Sequence, residues 1–239
     1  MQKLFVKRIK LNRDDIDFHE YPYNIPCLKD FEELEFDTPV TFFYGENGVG
    51  KSTLVEGIAI ALGLNPEGGS NNMQFSNYDD YSDLYKHLTI SKFGVPKTKF
   101  FLRAESFYKV ATDISNNGDL VQTTYGGEDL HQCSHGESFL KLVEHRFWNH
   151  GLYILDEPEA ALSPQRQMTL LCYLHDLAKN GSQFIIATHS PILLSYQYGK
   201  IIDMNHHMEP IKYEDTEVYQ IYTDFLNNPY GMQNVLFEE

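Results

Sequence analysis

A nine-residue segment that begins at Gly45 constrains the fold of this chain more than any other feature of its sequence. An apolar run, Val40 to Tyr44, precedes the segment, and apolar residues recur at helical spacing from Ser52 to Leu64 after it. The segment fits GxxxxGK[ST] and consists of Gly45, Glu46, Asn47, Gly48, Val49, Gly50, Lys51, Ser52 and Thr53. The sequence therefore predicts a strand, a glycine loop and a helix, which is the order that a phosphate-binding loop requires.

Each residue type in this loop suits a bound triphosphate. Glycines let backbone N–H groups curl around phosphate oxygens, and the N-terminus of the following helix adds positive potential. We expect Lys51 to reach the outer phosphates and the Ser52 hydroxyl to ligate Mg²⁺. The alternative is an ordinary glycine-rich turn, but the strand and helix that flank the loop favour a nucleotide site.

A second apolar run ends in two adjacent carboxylates. Gly151 to Leu155 is followed by Asp156 and Glu157. Because ligands of open α/β sheets bind at the carboxyl ends of strands, we expect Asp156 to help hold Mg²⁺ and Glu157 to act as the general base toward water. A merely solvated strand end is the alternative, which the phosphate loop upstream disfavours.

The remaining patterns predict an α/β fold. Further strands are predicted at Leu4 to Leu11, in the manner of an edge strand, and at Thr98 to Arg103, Phe184 to Ala187 and Lys200 to Met204. Helices are predicted at Ser138 to Phe147, Ser163 to Lys179 and Thr216 to Asn227. Because strands alternate with helices, we expect a mainly parallel sheet covered by helices.

Composition and charge exclude several classes of protein. Nineteen Lys plus Arg against 34 Asp plus Glu give a formal charge of −15, so strong autonomous binding to nucleic acid is not expected. No apolar run approaches the ~18 residues of a membrane span, and we expect no membrane insertion and a cytoplasmic location. Three scattered cysteines without a CxxC pair argue against a disulfide framework or a zinc cluster.

The two segments above, together with Ala187-Thr188-His189-Ser190-Pro191, resemble the nucleotide-binding domain of the ATP-binding-cassette superfamily. Within this superfamily, the chain resembles the non-transporter branch, which includes the heads of chromosome-maintenance and break-repair ATPases. In that branch it resembles a group of small stand-alone AAA-type ATPases. This resemblance implies a P-loop NTPase fold with an antiparallel N-terminal β portion. It also implies a small helical lobe, approximately residues 65–150, within a single domain of residues 1–239. ATP and Mg²⁺ are the ligands that it implies.

The resemblance also assigns a role to Ser134-His135-Gly136-Glu137-Ser138, which occupies the place of the family's signature motif. In the family this segment caps the γ-phosphate of ATP bound to the opposite protomer, so Ser134, Gly136 and Glu137 are implied to bind nucleotide in a homodimer. From the residues alone, Ser134 and Glu137 also form a capping box that starts a helix. Both interpretations can hold, since a capped helix N-terminus is also an anion site.

Two further positions follow from the family order. His189 matches the switch histidine, which contacts the γ-phosphate and orients the attacking water, whereas a lone histidine is otherwise a surface or core residue. Glu105 falls where the family usually places a glutamine that completes the Mg²⁺ shell, and Arg103 beside it is a candidate phosphate contact. The adenine contacts are left open, with Phe18, Tyr21 and Tyr23 as aromatic candidates and Arg8 or Arg13 as cationic candidates.

The sequence leaves three functions open. The first is an ATPase in which two copies sandwich two ATP molecules head to tail, with hydrolysis separating the pair. The second is the ATP-binding subunit of a transporter, which needs a separate permease. The third is an ATP-gated regulator in DNA repair or phage defence that acts through a partner effector; about eighty residues between Thr53 and Ser134 are too few for long coiled-coil arms.

The C-terminal helix carries an apolar stripe of Tyr219, Tyr222, Phe225 and Leu226 at helical spacing. Packing of this stripe in the core is the expected role, and docking of a partner is the alternative.

Overall fold

The structure, a computed structural model, describes residues 4–66, 68–69, 81–107 and 134–237. Its strands are β1 (Val6–Leu11), β2 (Glu33–Glu35), β3 (Val40–Tyr44), β4 (Leu88–Lys92), β5 (Thr98–Arg103), β6 (Gly151–Asp156), β7 (Gln183–Ala187), β8 (Lys200–Asp203) and β9 (Glu209–Ile211). Its helices are α1 (Pro26–Lys29), α2 (Lys51–Ala61), α3 (Leu84–His87), α4 (His135–Arg146), α5 (Pro164–Lys179), α6 (Pro191–Leu194), α7 (Glu217–Asn227) and α8 (Pro229–Phe237). Short 3₁₀ turns occupy Pro158–Ala161 and Tyr213–Asp215.

The strands form two sheets. β2, β1 and β4 form an antiparallel sheet with β1 in the middle. The larger sheet has the order β5-β6-β7-β3-β8-β9 and is parallel except for β9, which runs antiparallel to β8. The predicted α/β fold, with a mainly parallel sheet and an antiparallel N-terminal β portion, is confirmed.

Hydrophobic side chains alternate across the larger sheet and form a core on each face. On β6, Leu152 and Ile154 join the core that contains the apolar face of α2, whereas Tyr153 and Leu155 join the core that contains α4 and α5. Successive strand residues point to opposite faces, so both faces of this sheet are covered. This explains why β3, β6 and β7 are buried along their whole length.

The order of the strands decides where the functional segments meet. β7 lies between β6 and β3, with Ala187 paired to Asp156 on one side and to Phe43 on the other. The three strands therefore end side by side at the same edge of the sheet. The phosphate loop and Glu157 follow directly from the ends of β3 and β6, and His189 lies two residues after the end of β7.

β1 is a central strand, and the prediction of an edge strand is wrong. It pairs with β2 on one side and with β4 on the other. Its apolar residues are buried, while Lys7, Arg8 and Lys10 are exposed. Because an antiparallel sheet can leave one face open to water, basic residues are compatible with a central strand.

Gln183 joins the two sheets through its side-chain amide. Its Oε1 accepts a hydrogen bond from the Val6 backbone N–H at 2.9 Å, and its Nε2 donates to the Val6 carbonyl at 2.9 Å. Both bonds are buried, so neither backbone group can turn to water instead. A polar residue at the start of a buried strand is therefore satisfied by the neighbouring sheet.

We expect Gln183→Leu to lower the free energy of unfolding by about 2–4 kcal/mol, since it leaves two buried backbone groups of Val6 without partners. Urea denaturation followed by circular dichroism measures this loss. The control is Gln165→Leu at an exposed position of α5, which should change stability by less than about 0.5 kcal/mol. Equal losses in the two variants would contradict the role of Gln183.

The span 65–150 contributes to both sheets as well as to helices. β4 belongs to the antiparallel sheet and β5 to the edge of the larger sheet, while α3 and α4 supply the helical part. Within this span, residues 67, 70–80 and 108–133 lie outside the described residues. The predicted strand at Thr98 to Arg103 is confirmed as β5, and the predicted helix at Ser138 to Phe147 corresponds to α4.

The prediction that the C-terminal apolar stripe packs in the core is wrong. Thr216 to Asn227 is helical as expected, apart from Thr216, whose side chain caps α7 by accepting a hydrogen bond from the Tyr219 N–H. Tyr219 is half-buried, but Tyr222, Phe225 and Leu226 are exposed. The helix touches the domain near its start and leaves the rest of its apolar stripe in solvent.

Candidate nucleotide site

The phosphate loop turns between β3 and α2 with backbone conformations that glycine adopts most readily. Gly48 and Gly50 have φ angles of +81° and +107°. At Gly50 a side chain would also collide with neighbours, because a Cβ there would lie 2.7 Å from Ile25 and 2.9 Å from Cys27. The loop thus depends on glycine at this position for its backbone angle and for its close packing.

The loop presents its backbone to solvent. Its exposed residues are Glu46, Asn47 and Gly48, and its half-buried residues are Val49, Ser52 and Thr53. α2 begins without a side-chain cap at Gly50, so its first-turn N–H groups can bind an anion. From the other side, Asn205 accepts a hydrogen bond from the Glu46 N–H through Oδ1 at 2.9 Å, which fixes the start of the loop.

Lys51 is almost fully buried beneath the loop. Its ammonium donates to the carbonyl oxygens of Gly45 at 3.0 Å and of Glu46 at 2.9 Å. Burial lowers the pKa of Lys51, while the nearby carboxylates of Glu157, Asp156 and Glu159 act in the opposite direction. The ammonium is therefore placed between the phosphate loop and the cluster of carboxylates at the end of β6.

Ser52 and Asp156, which are both predicted to ligate Mg²⁺, contact each other directly. The Ser52 hydroxyl donates to Asp156 Oδ1 at 2.9 Å. Burial raises the pKa of Asp156 to about 6, while Arg103 and the hydrogen bond from Ser52 partly oppose this rise. A hydroxyl beside a buried carboxylate at a phosphate loop fits Mg²⁺, which usually binds one or two protein oxygens together with phosphates and water.

Arg103 and Glu56 extend the Ser52–Asp156 pair into a cluster of ion pairs. The sequence did not predict this cluster. The Arg103 guanidinium contacts Glu56 Oε2 through Nη1 at 2.8 Å and Asp156 Oδ2 through Nε at 3.2 Å. Glu56 is buried on the inner face of α2. The sequence does carry a signal for this pairing, because Glu56 is a single acid within the apolar run of α2 and Arg103 is a cation at the end of β5. Charged residues in such buried places are usually paired.

Glu105 lies near this cluster but is exposed. It is among the charges that act on both Arg103 and Asp156, which places it on the same side of the domain. The structure shows no bond from Glu105 to Ser52 or Asp156, all three being among the described residues. Its assignment as a Mg²⁺ ligand remains a prediction.

Glu157 and His189 face each other across the ends of β6 and β7. His189 Nε2 lies 3.4 Å from Glu157 Oε1. Glu157 has a φ angle of +47°, an uncommon conformation for a non-glycine residue that often occurs at functional sites. Burial, followed by the charge of Lys51, lowers the pKa of His189, so its imidazole is mainly neutral at pH 7.

Glu159 is a third acidic residue of this site that the sequence analysis did not single out. Its Oε1 accepts a hydrogen bond from the His189 backbone N–H at 2.6 Å. Burial raises the pKa of Glu159, and this hydrogen bond opposes the rise. Glu159 lies in the 3₁₀ turn after Glu157, so it fixes the backbone of His189 to the segment that follows β6.

The proposed signature residues lie at the start of α4 and contact a different part of the domain. Ser134 and Glu137 form the predicted capping box, and Glu137 also accepts a hydrogen bond from Arg166 at 2.8 Å. At Gly136, a Cβ would lie 2.9 Å from the Ala161 carbonyl oxygen. Among the described residues, no hydrogen bond joins Ser134, Gly136 or Glu137 to the phosphate loop.

The aromatic candidates for adenine differ in accessibility. Tyr23 is buried and its hydroxyl is hydrogen-bonded to His87, whereas Phe18 packs on both Tyr23 and Arg13. Tyr21 is exposed.

The cationic candidates are already engaged in contacts. Arg13 donates to the carbonyls of Phe31 and Lys29, and Arg8 forms an exposed ion pair with Glu33. Neither cation is therefore aimed at the phosphate loop.

The chain is similar in sequence to AAA-domain proteins and to an ATP-binding protein. An AAA-domain family model matches residues 23–135, and an AAA-domain model whose description names the AbiEii toxin of a type IV toxin–antitoxin system matches residues 133–195. The cytochrome c biogenesis ATP-binding export protein CcmA of Aliivibrio fischeri is 30% identical over 193 residues, which cover 72% of this chain and 92% of that protein.

The solved structures that the chain resembles share less sequence identity with it. The SMC head domain from Thermotoga maritima is 15% identical with a TM-score of 0.45, and the match covers 83% of this chain and 95% of that chain. The ATP-binding subunit of an ABC transporter is 12% identical with a TM-score of 0.48, over 93% of this chain and 99% of that chain.

Proposed function

The chain belongs to the ATP-binding-cassette ATPases, and from this premise we propose that residues 1–239 form a single domain that binds ATP with Mg²⁺ and hydrolyses it. One observation carries the proposal: Lys51, the Ser52–Asp156 pair and the Glu157–His189 pair converge at the carboxyl edge of β3, β6 and β7. These groups are the parts that phosphoryl transfer needs, namely a cation for the phosphates, a metal site and a base.

In the proposed reaction, the uncapped N-terminus of α2 and the backbone of Gly48 and Gly50 hold the phosphates. Lys51 exchanges its two carbonyl partners for phosphate oxygens and offsets their negative charge. Ser52 and Asp156, with Glu105 as a further candidate, would hold Mg²⁺, which supplies additional charge neutralisation on the phosphates when it is bound.

Glu157 is proposed as the general base that accepts a proton from the attacking water. His189, held as a neutral imidazole 3.4 Å from the Glu157 carboxylate, can donate a hydrogen bond and orient the same water. Glu159 supports this geometry because it holds the His189 backbone. The base and its partner therefore come from adjacent strands, at a distance fixed by the sheet.

A head-to-tail homodimer is the proposed active assembly. Ser134 is exposed, and it caps the N-terminus of α4, where N–H groups favour an anion. Ser134, Gly136 and Glu137 do not bond to the phosphate loop of their own chain, so in this proposal they complete the site of a second copy. The family resemblance of the sequence supports this arrangement.

We expect Lys51→Ala to weaken ATP binding at least about 100-fold, because the variant removes the one buried ammonium beneath the described phosphate loop. Isothermal titration calorimetry of the purified chain with ATP and Mg²⁺ measures the dissociation constant. Lys86→Ala, at an exposed lysine on α3, is the control and should bind ATP as the natural chain does. Unchanged affinity in Lys51→Ala would refute the proposed site.

An ATP-binding subunit of an exporter is a second candidate, favoured by the name of the Aliivibrio fischeri relative. Among the described residues, no helix is both long and apolar enough to cross a membrane, so this function requires a separate permease. Isolation of the Glu157→Gln variant from its own cells distinguishes the candidates. Recovery of a permease supports the exporter, recovery of a nuclease or toxin supports a regulator, and a cytoplasmic fraction without either supports the homodimer alone.

A further inference from the structure

The C-terminal helices expose an apolar surface that the described part of the domain does not cover. On α7, Ile221 and Phe225 are four residues apart, as are Tyr222 and Leu226, so the four side chains share one face, here called the C-terminal apolar face. All four are exposed, and Leu226 is 71% exposed. α8 adds four more exposed side chains, Tyr230, Val235, Leu236 and Phe237.

The same stripe is packed at the start of α7 and open further along. Val218 is half-buried against the core that contains α4 and α5, and the Tyr219 ring lies 4.9 Å from the ring of Tyr213. One turn later, the apolar side chains are exposed, from 38% at Phe225 to 71% at Leu226. The helix therefore continues an apolar pattern suited to burial beyond the point at which the described domain can bury it.

The exposed area is large enough for a specific interface. With about 150–250 Å² for a large apolar side chain, the four side chains of the C-terminal apolar face leave on the order of 400 Å² exposed, and the four exposed side chains of α8 add a similar area. A standard protein–protein interface buries about 800 Å² on each partner. A face of this size in water favours association, because burial of apolar surface is its main driving force.

Charge decides which kind of partner fits. The sequence from Tyr213 to Glu239 contains no Lys or Arg. The acidic residues Glu214, Asp215, Glu217 and Asp224 are all exposed, the first two in the 3₁₀ turn before α7 and the other two on α7 itself. A second copy would bring two acidic rims together, and an anionic lipid surface would be repelled, whereas a basic rim would be attracted.

The geometry points to the C-terminal apolar face as a docking surface for an amphipathic helix of a partner protein that carries Lys or Arg beside its apolar side chains. Apolar burial supplies the affinity, and the acidic rim selects a basic partner and excludes acidic ones.

The test uses the full chain without nucleotide and a fluorescent synthetic peptide of about 18 residues, built from Leu and Lys with Leu on one helical face. A scrambled peptide of the same composition has the same charge but no apolar face, and a Leu and Glu peptide has the face with the opposite charge. Fluorescence anisotropy should show at least about tenfold tighter binding of the amphipathic basic peptide than of either control.

The variant Phe225→Ser with Leu226→Ser keeps every charge and should bind the basic amphipathic peptide at least about tenfold more weakly. Val95→Ser is the matched control, because Val95 is an apolar side chain outside α7 and α8 that is 90% exposed, and it should leave binding unchanged. Since all three positions are exposed, circular dichroism is expected to show the natural fold.

Three results would overturn the proposal. If the amphipathic and scrambled peptides bind equally well, charge attraction alone explains the binding. If neither peptide binds, the C-terminal apolar face is not a docking surface for a basic helix. A nucleotide-free dimer in analytical ultracentrifugation that Phe225→Ser with Leu226→Ser dissociates would assign the face to a second copy instead.

Discussion

Replacing Glu157 with Gln is expected to lower ATP turnover by about 10²–10⁴-fold, the usual contribution of a general base. The amide keeps the size of the side chain, but it cannot accept a proton from water. ATP binding should remain close to that of the natural chain, because Lys51 and the Ser52–Asp156 pair are unchanged. Phosphate release measures turnover, and calorimetry measures binding.

The same variant tests the proposed dimer. Because ATP is bound but not cleaved, we expect Glu157→Gln to elute as a dimer with ATP and Mg²⁺ and as a monomer without them. Glu209→Gln, at an exposed acid on β9, should keep natural turnover and serves as the control. If Glu157→Gln hydrolyses ATP at the natural rate, Glu157 is not the general base. If turnover is lost but no dimer forms, only the proposed homodimer is contradicted.

Arg103→Met is expected to lower the free energy of unfolding by about 3 kcal/mol, because it leaves two carboxylates in low-dielectric surroundings without their cation. Glu56 and Asp156 are buried, and both are within 3.2 Å of the guanidinium. Methionine fills a similar volume, so the loss should come mainly from the unpaired charges. Urea denaturation measures it.

Two further variants separate charge from packing at this position. Arg8→Met breaks an ion pair whose partners are each 45% exposed and should cost less than about 1 kcal/mol. Glu56→Gln, added to Arg103→Met, removes one of the stranded charges and should recover part of the lost stability. A loss in Arg103→Met no larger than in Arg8→Met would contradict the buried network.

Local patterns were sufficient to predict most of the elements that form the site. The apolar run from Val40 to Tyr44, the glycines after it and the helical spacing from Ser52 predict β3, the loop and α2, because each depends on neighbouring residues only. The same holds for β6 before Asp156 and for β7 before His189. Parallel strands place their carboxyl ends at one edge, so the sequence also predicted that these segments meet.

Contacts between distant residues could not be predicted in this way. The ion pairs of Arg103 join residues 47 and 53 positions away, and the Gln183 amide binds a backbone group 177 positions away. Such partners depend on how the strands are ordered in the sheets. The same limit explains β1, whose exposed cations suggested an edge although its neighbours come from β2 and β4.

The sequence by itself determined the order of strand, loop and helix and the chemical groups at the nucleotide site, because these depend on local periodicity and residue type. Only the tertiary structure decided that Glu159 holds His189, that Arg103 joins two buried acids, and that the apolar side of α7 faces solvent. Periodicity marks which side of a helix is apolar, but whether the domain covers that side depends on the position of every other element around it.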